Sequence, residues 1–120
     1  MILKNVLLVV KDIERSRRFY EDILGLSVTA DLGKKVLFAG GVVLEESFLW
    51  ENALRRPVIY GGNAAELYFE DSDAAGVSQR LQDSNYDVEF LMEEGEEPLE
   101  VLRFYDPDRH IIEVRVNGPV

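Results

Sequence analysis

The 120-residue chain has no cysteine and one histidine, His110. Without cysteine there are no disulfides, no thiolate metal sites and no thiol nucleophiles. A lone histidine excludes a multi-histidine metal cage within one chain. Long hydrophobic runs are also missing, and nothing approaches the roughly 20 apolar residues of a membrane-spanning helix. The opening "MILKNVLLVVKD" is closed by Lys11 and Asp12 before a signal-peptide core forms, and no small-residue cleavage site follows, so a cytoplasmic protein is expected. Positive charge is scarce: 13 Lys and Arg stand against 23 Asp and Glu, a formal net charge of −10. That balance argues against a nucleic-acid partner and suits cationic partners or simple solubility. With 47% hydrophobic and 30% charged residues, the composition is that of one globular domain.

One plan occurs twice. "NVLLVVKDIERSRRFYEDILGLSV" starts with an apolar strand, is capped at Asp12, continues as a helix carrying Ile13, Phe19, Tyr20, Ile23 and Leu24, and stops at Gly25. "AAELYFEDSDAAGVSQRLQDSNYDVEF" repeats it, with a cap expected at Asp71 and a helix carrying Ala74, Val77 and Leu81. Three strand-like segments follow each helix, near 27–31, 35–38 and 42–46, then near 87–91, 100–105 and 111–116. The sequence therefore predicts an α+β fold of two βαβββ modules, about 1–50 and 64–120 of a single domain. "ENALRRPVIYGGN" reads as the connector over 51–63.

Alternation sorts the strand residues into two faces. Leu67 and Phe69 oppose Glu66 and Tyr68; Leu102 and Phe104 oppose Arg103; Ile112 and Val114 oppose Glu113; Val42 and Leu44 oppose Glu45. Superposing Asp12 on Asp71 matches Asn5 with Ala64, and Glu45 is read as the repeat partner of Glu113. Both acids are expected to face away from the helices.

"VVKDIERSRRFYEDILGL" and "FYDPDRHIIEV", in this order in a paired βαβββ chain, resemble the vicinal oxygen chelate superfamily of glyoxalase I, bleomycin-resistance proteins and extradiol dioxygenases. The resemblance implies an open, roughly eight-stranded barrel-like sheet around a small-molecule cavity, often completed by a homodimer. In metal-dependent members, first-strand histidines and last-strand acids hold a divalent ion. Glu113 and Glu45 match those acids, whereas Asn5 and Ala64 stand where histidines are expected. Arg109 replaces the usual turn glycine, at a cost of about 1 to 2 kcal/mol if the turn needs positive φ.

Carboxylates crowded into a cavity need a counter-charge. The sequence leaves three sources open. One is a divalent metal on Glu45, Glu113 and Asn5, an oxygen-rich set that favours Mg²⁺, Mn²⁺ or Ca²⁺ over Zn²⁺ or Ni²⁺ and would support a lyase or isomerase with Glu113 and Glu45 as catalytic acids. Another is a cationic antibiotic or metabolite, bound without a metal; the candidate ligand-binding residues are Glu66, Tyr68, Trp50 and Arg103, the last for an anionic group of a substrate. The third is an internal arginine, Arg103 or Arg115. The acidic run "EEGEEPLE" reads as an exposed loop.

Overall fold

The computed structural model describes residues 1–117. Its elements run β1 Val6–Val10, α1 Ile13–Asp22, β2 Val28–Asp31, β3 Lys35–Phe38, β4 Val42–Glu46, α2 Ser47–Leu54, β5 Glu66–Glu70, α3 Ala74–Asp83, β6 Phe90–Glu94, β7 Val101–Tyr105 and β8 Ile111–Arg115. The α+β class and the doubled βαβββ plan are as the sequence predicts. The chain divides into two compact units, one spanning Met1–Ile59 and the other starting at Tyr60.

In the first unit the strands are ordered β1-β4-β3-β2. Strand β1 lies parallel to β4, because a helical crossover joins β1 to the rest, while β2, β3 and β4 form an antiparallel meander. The Asp12 side chain accepts a hydrogen bond from the Arg15 N–H at 3.1 Å and caps α1. Beyond the helix, Gly25 has φ +69 and donates to the Glu21 carbonyl, and Leu26 donates to the Tyr20 carbonyl. These bonds satisfy carbonyls the helix end leaves open. Ile13, Phe19, Tyr20 and Ile23 are buried, as are Val10, Val36, Phe38, Val42 and Leu44 on the sheet. Phe19 and Tyr20 meet edge to face at 5.5 Å.

The second unit repeats this order as β5-β8-β7-β6. Ala74, Val77 and Leu81 of α3 are buried, with Leu102, Phe104, Ile112 and Val114 on the sheet. Three sequence expectations change here and in the connector. The cap of α3 is Asp73, whose carboxylate accepts from the Gly76 N–H at 2.9 Å. Asp71 instead accepts from the Asp73 N–H, shaping the approach to the helix. The cap carboxylate closes over Gly76 where a Cβ would stand, so that position takes only glycine without a shift. Strand β6 begins three residues later than expected and takes in Glu93 and Glu94 from the acidic run. Its helix-side residue Glu93 accepts from Ser78 of α3 at 3.1 Å. Finally, the start of the connector is helical: Ser47–Leu54 contains neither glycine nor proline, and α2 ends where Arg55 turns left-handed at φ 56.

Candidate functional site

The ladders fix how the two modules correspond. Taking the true caps, Asp12 matches Asp73, and counting back five residues matches Leu7 with Tyr68. Leu7 pairs with Val43, and Tyr68 pairs with Glu113. The β-bulges give the same answer independently. The register shifts between Val28 and Ala30 opposite Phe38 and Leu37, and between Phe90 and Met92 opposite Phe104 and Arg103, so Leu37 matches Arg103. Leu37 pairs with Val43, and Arg103 pairs with Glu113. The repeat partner of Glu113 is therefore Val43. Glu45 corresponds to Arg115 and Asn5 to Glu66, correcting the alignment drawn from Asp71.

In the second unit, Glu66, Tyr68, Arg103 and Glu113 share the sheet face that points away from α3. Glu113 is 3% exposed. Its Oε1 accepts from Nη2 of Arg103, and its Oε2 accepts from Nε of Arg115 at 2.8 Å. Burial pushes the Glu113 carboxyl up, but the Arg115 hydrogen bond and the charges of both guanidiniums outweigh it and hold the group below the ordinary carboxylate range. The Arg115 hydrogen bond to Glu113, opposed by burial, raises the guanidinium further, with Tyr68 and Glu94 adding to it. Arg103 extends over β8 to β5, where its Nε lies 3.5 Å from Oε2 of Glu66. Its Nη1 lies 3.9 Å from Sδ of Met92. The counter-charge of the buried acid is thus internal, the third of the sources the sequence left open.

Asn5, Glu45 and Trp50 belong to the first unit. Glu45 is half-buried and lies opposite Val9 and Lys35. Asn5 is exposed, one residue before β1. It lies four rows from Glu45, about 13 Å along the sheet at ~3.3 Å per residue. Side chains standing off the sheet at that separation do not converge on one ion. Trp50 is half-buried on α2, a helix with no buried residue, so it is not a core side chain.

Among the described residues, no group of three His, Cys, Asp or Glu is arranged to hold a metal ion. The proposed donor set does not fit one: both oxygens of Glu113 are engaged by cations, and Asn5 and Glu45 lie rows apart. Sequence reasoning named Arg115 only as a pairing partner and missed Met92. The i+2 spacing of Arg115 from Glu113 puts both on one face and was the available signal. Met92 was hidden by the three-residue error in β6.

The DPDRH turn is built on Asp106, which is 2% exposed. Its Oδ1 accepts from the N–H groups of Asp108 and His110 at 2.9 and 2.8 Å, and its Oδ2 lies 2.7 Å from Nδ1 of His110. Arg109 has φ 67, so this turn does require the left-handed conformation that glycine usually supplies. The Arg109 guanidinium lies 4.2 Å from the Tyr105 ring centroid, a cation–π contact that offsets part of the strain.

Residues 3–117 match the family model of the glyoxalase-like domain. The chain belongs to the glyoxalase-like family. No curated protein matches it. Among solved structures, this glyoxalase-like chain is 36% identical to a protein of unknown function from Agrobacterium tumefaciens, with a TM-score of 0.77 over 98% of this chain and 95% of that one. It is 18% identical to a glyoxalase-related enzyme from Fulvimarina pelagi, with a TM-score of 0.78 over 97% and 88% of the two chains. The fold also resembles that of a fosfomycin resistance protein, FosX, from Listeria monocytogenes, solved with Mn(II) and 1S,2S-dihydroxypropylphosphonic acid: 21% identity and a TM-score of 0.70 over 99% and 95%. Among the described residues no helix is long and apolar enough to cross a membrane.

Proposed function

We propose that this glyoxalase-like protein is a small-molecule-binding member of its family that works without a bound metal, using the face that carries Glu66, Tyr68, Arg103 and Glu113. The observation that supports this reading is the state of Glu113. Each oxygen of this carboxylate already accepts from a guanidinium, and a divalent cation beside it would be repelled by Arg103 and Arg115. The same pairing removes the main attraction for a cationic drug, so binding would rest on hydrogen bonding and shape more than on net acidity. A homodimer belongs to the proposal. The exposed Phe48, Leu49 and Leu54 of α2 supply apolar surface suited to a second copy, and sedimentation measures the association.

The test is metal content. The untagged protein, purified without chelators and then incubated with Mn²⁺, Mg²⁺, Ni²⁺ or Zn²⁺, should carry far less than one ion per chain by mass spectrometry. A stoichiometric ion that disappears in the Glu45→Gln, Glu113→Gln double variant would overturn the proposal. It would favour instead a metal-dependent lyase or isomerase acting through Glu45 and Glu113.

A further inference from the structure

Beside Glu66 and Arg103 the second unit has an open concavity of about 380 Å³, lined also by Asn63, Ala64, Ala65 and Ile111. The volume falls within the roughly 300–1,000 Å³ of small-molecule pockets. We propose that this concavity takes up a small carboxylate, which displaces Glu66 from Arg103. The inference rests on the reading of the protein as a metal-independent binder and names the ligand class.

The argument is one of charge and geometry. Glu113 is shared by two guanidiniums, so it only partly neutralises Arg103. Glu113 also anchors Nη2 and thereby fixes the direction of the Arg103 side chain. The Nε edge is left pointing toward the concavity, where Glu66 approaches to 3.5 Å, an ion pair at the limit of hydrogen-bond length. Both side chains are about one-third exposed, at 32% and 35%, so water competes for the contact and the pair is held weakly. Glu66 thus loosely occupies the Nε–H donor of Arg103, from which a ligand carboxylate can accept in its place. Exchanging it for a ligand carboxylate keeps Arg103 balanced while Glu66 swings to solvent. A cationic ligand in the same place would lie against Arg103. The small side chains of Ala64 and Ala65 leave room for the body of the ligand.

Titration calorimetry with benzoate and pyruvate, in buffer containing EDTA, tests this on the wild-type protein and on Glu66→Gln, Arg103→Leu and Arg103→Lys. Wild type should bind at least one probe with millimolar affinity. Glu66→Gln, which removes the competing charge at constant shape, should bind it about fivefold more tightly, the worth of a partly exposed ion pair. Arg103→Leu should abolish binding. Should that variant fail to fold by circular dichroism, Arg103→Lys, which keeps the charge that balances Glu113, should still weaken binding. Unchanged or weaker binding in Glu66→Gln would overturn the inference and leave metal independence standing. So would the absence of binding to either probe both in EDTA and with Mn²⁺ present, or tighter binding of benzamidine than of benzoate. Binding that EDTA abolishes and Mn²⁺ restores would overturn the proposed function instead, because the dependence on Glu66 is read separately from the dependence on metal.

Discussion

Replacing Glu113 by glutamine keeps the size of the side chain and one acceptor oxygen but removes the charge that two arginines share. Each charge-assisted hydrogen bond to Glu113 contributes about 1.5–3 kcal/mol, and glutamine loses one of them and weakens the other. Against this stands the desolvation of a carboxylate only 3% exposed, which the variant no longer bears. Arg103 and Arg115 are 32% and 28% exposed and partly rehydrate, so the net loss is about 2 kcal/mol, below the roughly 3–5 kcal/mol for breaking a fully buried pair. For a domain of this size the thermal midpoint should fall by roughly 6–10 °C in calorimetry at neutral pH. The pH dependence carries the stricter test. The Glu113 carboxyl titrates below its ordinary value in the folded protein. Its contribution is therefore fully present above the unfolded value of about 4.3 and is lost as pH falls through the lower folded value. The gap in stability between wild type and Glu113→Gln should be constant near neutrality and close below about pH 4. A variant as stable as wild type at pH 7, or a gap that widens on acidification, would refute the internal counter-charge.

The caps separate in the same way. Asp73→Ala should cost about 1 kcal/mol in urea unfolding and Asp71→Ala about half that, because only Asp73 satisfies a helix N–H. Asp106→Ala leaves two N–H groups and the His110 ring without their acceptor in a partly buried turn, and should cost about 3 kcal/mol by the same assay. In the first unit, Val43→Glu places a carboxylate at a site 3% exposed with only Leu7 and Leu37 opposite, and should cost about 3 kcal/mol or more. Adding Leu37→Arg should recover part of that loss in a double-mutant cycle.

The fold was legible because periodicity and caps are local signals. Ile13, Phe19, Tyr20 and Ile23 recur at helical spacing, and the alternation of Leu102, Arg103 and Phe104 assigns faces whatever the exact pairing. The site was only partly legible. Glu66, Tyr68, Arg103 and Glu113 were placed on one face by alternation, and they do lie together. What failed was register between repeats, because "EDSDAAG" holds two aspartates that both suit a cap. The choice depends on which carboxylate can close over Gly76, a contact that spacing alone does not reveal. Choosing Asp71 shifted the repeat by two residues. A shift of two keeps every side chain on its correct face, so the error left no contradiction in the hydrophobic pattern. The helix α2 escaped because the Pro57 and Gly61-Gly62 signals farther along drew the whole segment into a connector.

With the register corrected, the two modules differ where they are aligned. Asn5, Leu7, Leu37 and Val43 of the first correspond to Glu66, Tyr68, Arg103 and Glu113 of the second. The shared architecture is held by the buried helix-facing positions of the central strands, Val36, Phe38, Val42 and Leu44 in the first and Leu102, Phe104, Ile112 and Val114 in the second, which are apolar in both. The opposite face is free to diverge, because its side chains do not build the helix–sheet core. In the first module its central pair is Leu37 with Val43, and in the second an arginine with a buried glutamate. Such a pair is weak evidence for stability, since an apolar pair of similar volume is commonly as stable, and the first module itself uses one at the matching position. Its presence in the second module alone is better explained by a local requirement to hold a guanidinium in place. Glu113 meets that requirement from one side of Arg103 and leaves the Glu66 side open to exchange.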